Sequence, residues 1–432
     1  MAAASYHLAR LSARAYSLLS IVGDEDNFSP IEKALALLML RDLDQLEELA
    51  LNFRIEGAAS DKSLAASLEN QLEIDELVGR PDSDAPGVLF DAIDLALTDR
   101  FFAAMAVFLL ALERGEHALL EAAIEQLEEG ATVSAELNLV PQWWAHRVAI
   151  HLLGDLWETS FHERLPLAPV GGEAQDWPTL RRLCIASLLR RRKAEVVLWP
   201  SQLDSAARSV DQRDDLVVSL PTSAGKTRIA ELCILRCLAE GKRIVFVTPL
   251  RALSAQTEAT LQRTFGLLGK SISALYGSTG VSDADEDAIR TRHIVVATPE
   301  KLDFALRNDP SLIDDVGLLV FDEGHMIGLS EREVRYEVQI QRLLKREDAA
   351  ERRIVCLSAI LPDGNQLEDF ANWLRRDQPG GMVKNEWRPT RLRYGEVVWN
   401  GLSARLNLRV GQERPFVPRY FTGFVPPVGQ RT

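Results

Sequence analysis

The chain has 432 residues, 47% hydrophobic and 26% charged, which excludes a disordered or collagen-like polymer and leaves room for two or three domains. Its net charge of −14, evenly spread, would disfavour a nucleic-acid partner. However, residues 1–180 hold 31 acidic and 11 basic side chains, −20, and residues 181–432 hold 32 and 38, +6.

The first 20 residues are acid-free and carry Arg10 and Arg14. Leu8, Leu11, Ala15, Leu18 and Leu19 recur at helical spacing without a continuous apolar core, so a first helix is expected rather than a targeting segment. Ser29-Pro30-Ile31-Glu32 is a helix start, with Ser29 as cap, Pro30 at the first position and Glu32 returning the bond. Further helices are expected near 60–79, 87–113, 115–129 and 141–158, broken at Gly57, at 80–87, at Gly130 and at Pro141. The longest apolar run, Phe101–Leu112, is too short to span a bilayer and reads as a buried helix, so no membrane partner is expected. Trp143, Trp144, His146, His151, Trp157 and His162 read as aromatic packing between helices, not as a metal set. Residues 1–165 are therefore expected to form an acidic all-helical domain. Residues 166–194 are expected to be a Pro/Gly-rich connector and a helix ending in Arg190-Arg191-Arg192-Lys193. That cluster suits a nucleic-acid backbone and a solvated helix end equally. Cys184, Cys233, Cys237 and Cys356 form no C-x-x-C pair, fit a reducing cytoplasm and read as buried thiols.

From residue 195 the pattern alternates. Strands are expected at 216–220, 243–248, 271–276, 293–298, 316–321 and 353–358, and helices at 226–240, 251–265, 284–290, 299–307, 331–346 and 364–375. Such alternation predicts a parallel sheet with helices on both faces and ligands at the carboxyl ends of the strands. After the first strand comes Leu220-Pro221-Thr222-Ser223-Ala224-Gly225-Lys226-Thr227, a strand–loop–helix with the chemistry of a phosphate-binding loop. Loop and helix amides suit an anion, Gly225 permits close approach, Lys226 suits the β/γ-phosphates and the Thr227 hydroxyl suits Mg2+. Ninety-six residues after Lys226, Asp322-Glu323-Gly324-His325 stands at another strand end. There Asp322 suits Mg2+, and Glu323 suits the attacking water as base.

Together these segments resemble the first motor domain of superfamily 2 helicases of the DExH, Ski2-like kind. Residues 221–227 look like motif I, and Thr248-Pro249-Leu250-Arg251-Ala252-Leu253 with Gln256 like motif Ia. Ala297-Thr298-Pro299-Glu300-Lys301-Leu302-Asp303 looks like motif Ib, 322–325 like motif II, and Leu357-Ser358-Ala359-Ile360-Leu361-Pro362 like motif III. Trp199-Pro200-Ser201-Gln202 is similar to the upstream glutamine element that reads adenine, and 387–391 to the segment leading out of the domain. The resemblance implies a RecA-like P-loop domain over 195–400. It implies ATP bound by Gln202 and by Pro221, Thr222, Ser223, Ala224, Gly225, Lys226 and Thr227, with Mg2+ on Thr227 and Asp322. Catalysis is assigned to Lys226, Asp322, Glu323 and His325, backbone contacts to DNA or RNA to Pro249, Arg251, Thr298 and Pro299, and coupling to Ser358 and Ala359. Leu220 stands where the family has a small residue. Ile360 replaces the threonine of Ser-Ala-Thr, which removes one hydrogen-bonding group from the coupling motif.

The expected activity is an ATP-dependent helicase or translocase. Long helical N-terminal regions on Ski2-like helicases also occur in bacterial anti-phage defence systems such as the Hachiman type, an architectural similarity. After residue 400 the sequence shows no Gly-Arg-x-x-Arg element, and 401–432 reads as an extended tail toward an absent second RecA-like domain. Because the resemblance places the arginine finger in that domain, slow hydrolysis by this chain alone is expected. The alternative is a non-catalytic ATP- and nucleic-acid-binding module that docks a protein partner through its helical domain. That acidic domain is also suited to repelling nucleic acid until displaced.

Overall fold

Alternation of buried residues along each strand divides the α/β region into two packed faces. A computed structural model describes residues 1–22, 28–53, 85–275, 283–324, 326, 330–359, 365–389, 394–399, 403–409 and 416–422. Seven parallel strands, β1 (Leu216–Ser219), β2 (Arg243–Val247), β3 (Ile272–Ala274), β4 (Ile294–Ala297), β5 (Val316–Phe321), β6 (Arg353–Ser358) and β7 (Val383–Lys384), lie in the order β3-β4-β2-β5-β6-β1-β7. Val218, Ile244, Phe246, Val320 and Val355 point to one face, where they meet α9 (Trp177–Leu189), α10 (Pro200–Ser209), α11 (Lys226–Leu238) and α12 (Arg251–Phe265). Val217, Val245, Val247, Phe321 and Cys356 point to the other, against α13 (Asp283–Thr291), α14 (Pro299–Asn308), α15 (Glu331–Leu344) and α16 (Asn365–Leu374). All four cysteines are buried free thiols. This is the RecA-like layering expected from the sequence, with every expected strand in place.

The N-terminal region is helical: α1 (Ala2–Leu8), α2 (Ser12–Val22), α3 (Pro30–Leu40), α4 (43–53), α5 (Ala85–Arg114), α6 (His117–Glu136), α7 (Val140–Glu158) and the short α8 (Phe161–Arg164). The helix expected at 60–79 lies outside the described residues. Ser29 and Glu32 form the reciprocal cap of α3, with bonds of 3.0 and 3.3 Å. Among the described residues α5 contains the helix long and apolar enough to cross a membrane, and its Phe101, Phe102, Met105 and Phe108 are fully buried in the helical core. Part of the aromatic–histidine cluster is packing, whereas its Trp144 and His151 are exposed. Trp157 stacks on His162 at 6.0 Å, and His146 meets Phe101 edge-on.

Helical and α/β regions belong to one unit, Met1–Trp387. The segment 194–198 stitches them: Ala194 N–H donates to the Arg41 carbonyl (2.9 Å), Phe161 N–H to Val196 (3.1 Å) and Leu198 N–H to Thr159 (2.8 Å). Ala194 and Val196 sit in the helical core, whereas Phe161, Leu165 and Trp177 sit in the α/β core. The expected connector is pinned, with Trp177 Nε1 donating to the Pro166 carbonyl and Arg181 to those of His162 and Leu165. Of the basic cluster closing α9, Arg190, Arg192 and Lys193 are exposed and Arg191 is half-buried. Arg191 bonds Glu195 and Thr264, and Lys193 meets the Tyr16 hydroxyl and ring.

The second unit is Arg388–Thr432. An irregular tail was expected over 401–432. Instead β8 (Tyr394–Trp399), β9 (Ser403–Arg409) and β10 (Phe416–Thr422) form an antiparallel three-stranded sheet. Ala404, Leu406 and Leu408 alternate with Arg405, Asn407 and Arg409, a period of two that the nearby prolines masked.

Candidate functional site

The chain leaves β1 locked to β6, because the Leu220 amide donates to the Ser358 carbonyl (3.0 Å). The Ala224 amide then returns to the Pro221 carbonyl (3.1 Å), and Ser223 (φ 65°) and Gly225 (φ 91°) take left-handed conformations. At Gly225 an added Cβ would stand 2.1 Å from Gln202 Nε2 and 3.3 Å from the Trp199 ring, so conformation and space both require glycine. Lys226 opens α11, where the Arg228 amide turns back to the Gly225 carbonyl (3.1 Å) and helix geometry leaves the amides of Lys226 and Thr227 without an intrahelical acceptor. Thr222, Ser223 and Thr227 are exposed and Ala224 is buried, so hydroxyls line the open side of the loop. The closed side is anchored by α10. Ser201 Oγ donates to the Ala224 carbonyl (2.6 Å) and Gln202 Nε2 to the Gly225 carbonyl (3.1 Å). Gln202 Oε1 accepts from the Trp199 amide (2.8 Å). The glutamine expected to read adenine thus also holds the loop, keeping one N–H and one lone pair for other partners.

Strand order assembles the rest. β6 lies between β1 and β5, pairing Ser219 with Ser358 and Phe321 with Cys356. The phosphate loop and Asp322-Glu323 therefore flank Ser358, which is fully buried, and Ala359, which is half-buried. The Asp322 amide donates to the Val247 carbonyl (2.9 Å), and Asp322 Oδ1 accepts the Glu323 amide (3.0 Å). Glu323 takes φ 52°, fixed by the next amide, Gly324 N–H to the Leu357 carbonyl (2.9 Å). Lys226 Nζ donates to the Leu220 carbonyl (3.3 Å). Burial lowers its ammonium below the ordinary value, while Glu323 and Asp322, 97 and 96 residues further along the chain, draw it back up. The left-handed Gly225, the exposed loop hydroxyls and the lysine–carboxylate set fit a nucleoside triphosphate with Mg2+. His325 and Ile360 lie outside the described residues.

The expected nucleic-acid residues lie beyond β2 and β4. Pro249 is buried, and Arg251 is the first residue of α12. Pro299 is buried, and Thr298 is 5% exposed. The Thr298 oxygen accepts the Lys301 amide (3.4 Å) and its hydroxyl donates to Glu300, so it caps α14. Sequence reading missed Arg332. Its Nε donates to Glu300 (2.7 Å) and its Nη2 to the Pro249 carbonyl. With partners 32 and 83 residues away, no local signal marks it.

Residues 199–369 match the DEAD/DEAH box helicase family model. The chain is 27% identical over 322 residues to Hachiman protein HamB of Bacillus cereus, a match covering 73% of this chain and 27% of that protein. It is 35% identical over 230 residues to the ATP-dependent DNA helicase Hel308 of Pyrococcus abyssi, covering 52% and 30%. The chain therefore spans less than a third of the length of these relatives. A solved structure of the DUF1998 helicase MrfA bound to DNA aligns with TM-score 0.39 and 21% identity over 47% of this chain and 29% of that one. With its phosphate loop, strand-end carboxylates, the family match over 199–369 and the Hel308 likeness, the chain carries a superfamily 2 helicase motor domain of the Ski2-like kind.

Proposed function

We propose that this chain is the ATP-binding half of a nucleic-acid translocase or helicase that works in anti-phage defence. The observation that carries the motor reading is the placing of Lys226, Asp322 and Glu323 around one strand end, with Ser358 between them. Gly225 and the α11 amides hold the phosphates, Lys226 neutralises the β/γ oxygens, and the hydroxyl of Thr227 and Asp322 hold Mg2+. Bound Mg2+ would supply charge stabilisation to the transferring phosphoryl group. Glu323 accepts the proton of the attacking water. Arg251 and the start of α14 meet the phosphates of one strand, contacts that track a backbone without reading bases.

The defence assignment rests on the HamB likeness, which at 322 residues necessarily extends outside 199–369. A protein partner is assigned to the helical region. There an apolar groove of about 670 Å³ opens among α1, α2, α3 and α7, lined by Leu18, Leu35, Met39, Val140 and Trp144. Trp144 is 49% exposed, as suits an anchor for a partner's apolar side chain.

The test is Glu323→Gln. ATP affinity should stay within about twofold and nucleic-acid binding persist, while turnover falls by about 10²–10⁴, the usual contribution of a general base. Basal turnover of the 432-residue chain should be slow, because the arginine finger belongs to a second RecA-like domain in this family and contributes about 10³–10⁵. Unchanged turnover in the variant would assign the chain to the non-catalytic module.

A further inference from the structure

Arg332 sits in the first turn of α15, the helix that follows the Asp322–Glu323 turn along the chain. Its guanidinium joins two other elements. Nε donates to Glu300, in the first turn of α14, and Nη2 donates to the carbonyl of Pro249, two residues before α12. The two helices joined are those assigned above to the nucleic-acid backbone, and the inference rests on that reading.

Stability does not explain the contact. Arg332 and Glu300 are 47% and 44% exposed, and such a pair contributes at most about 1 kcal/mol. Geometry and charge explain it better. A rigid planar fork holds two acceptors in fixed directions, whereas the rotatable donors of a lysine impose no such geometry. Glu300 also occupies the positive end of α14, where a strand phosphate would dock. An unpaired carboxylate there would repel that phosphate. Arg332 cancels the charge and ties Glu300 to α15, and the Thr298 hydroxyl also donates to the carboxylate.

We propose that Arg332 is a positioning residue for nucleic-acid binding, a strut from the helix after the catalytic acids that sets the starts of α12 and α14 and neutralises Glu300 at the phosphate site. Neither role touches the ATP loop. Loss of Arg332 therefore leaves nucleotide binding intact and weakens the strand alone. Removing Glu300 as well restores most of the lost affinity, because the repelling charge has gone.

The experiment uses the full chain, a fluorescently labelled 20-nucleotide single strand, a fluorescent ATP analogue and amide hydrogen exchange. Arg332→Gln should lower strand affinity about tenfold, the scale of a lost phosphate-site interaction near 1.4 kcal/mol. Its ATP-analogue affinity should change less than twofold, as expected when no loop contact is lost. Exchange should quicken at amides 250–254 and 300–302 and not at 223–227. Arg332→Lys, which keeps the charge and loses the fork, should fall between. Arg332→Gln/Glu300→Gln should recover most of the strand affinity. A wild-type chain that binds the strand while Arg332→Gln binds it equally well overturns the role of Arg332 alone. Equal losses in the single and double variants overturn the charge part. A wild-type chain that binds neither DNA nor RNA strands overturns the assigned face itself and, with it, the role of Arg332 there. Unchanged exchange at both helix starts overturns the strut.

Discussion

Gly324 lies against the sulfur of Cys356, and an added Cβ would stand 2.1 Å from it. The sulfur belongs to a fully buried strand residue and has no room to retreat. Gly324→Ala should therefore lower stability by roughly 1–3 kcal/mol, the usual cost of overpacking, as read from urea unfolding. In a Cys356→Ala background the same change should cost clearly less. At the other end of the chain, His7 is held down to about 4, first by burial and then by Arg41 and Arg10, and it faces Asp155 at 4.0 Å. Between pH 6.5 and 4 the unfolded chain binds a proton at this position that the folded chain refuses. The His7 contribution is thus complete above pH 6.5, and on the order of 3 kcal/mol is lost as pH falls to 4. Burial raises Asp155, which therefore takes up a proton in the fold and offsets part of that loss. Unfolding followed across this range should show a shallower acid slope in His7→Phe.

Among the elements, α10 does work that its sequence does not advertise. The glutamine element was legible as an adenine reader by resemblance, and its anchoring of the phosphate loop was not, because both anchors end on backbone carbonyls 23 residues away. Ser201→Ala would leave the buried Ala224 carbonyl without this partner, a penalty of about 1–3 kcal/mol. Titration with a fluorescent ATP analogue should show affinity reduced several-fold, with secondary structure by circular dichroism unchanged. Strands β1 to β6 were legible nearly to the residue, since each is a short apolar run closed by polar or turn residues. The sheet β8–β10 is hidden in the sequence because Pro415, Pro418, Pro426 and Pro427 suggest irregular chain and obscure the alternation across 403–409.

At the scale of the molecule, the −20 charge of residues 1–180 sits on a region interlocked with the motor. Deleting residues 1–165 would remove Phe161 and Leu165 from the α/β core and the Arg41 carbonyl from Ala194, so truncation cannot isolate the effect of charge. Substitution can. Glu121, Glu125 and Glu128 are exposed on α6, and changing all three to lysine adds six units of positive charge at that surface. Nucleic-acid affinity at low salt should rise about tenfold with a steeper salt dependence, if this face repels the strand. Unchanged affinity across salt concentrations would remove repulsion from the role of this region.

The sequence alone determined the order of strands and helices, the glycine of the phosphate loop, the two acids and the family they resemble. Those signals are local, written in period, spacing and residue type. Only the tertiary structure decided that β6 would run between β1 and β5, so that Lys226, Asp322 and Glu323 converge. It alone decided that Gln202 anchors the loop it was expected to serve, that helical and motor regions share the segment 194–198, and that Arg332 bridges Pro249 and Glu300. The physical reason is the same each time. Packing brings together groups distant in the chain, and contacts made across such distances leave no pattern in the order of the residues.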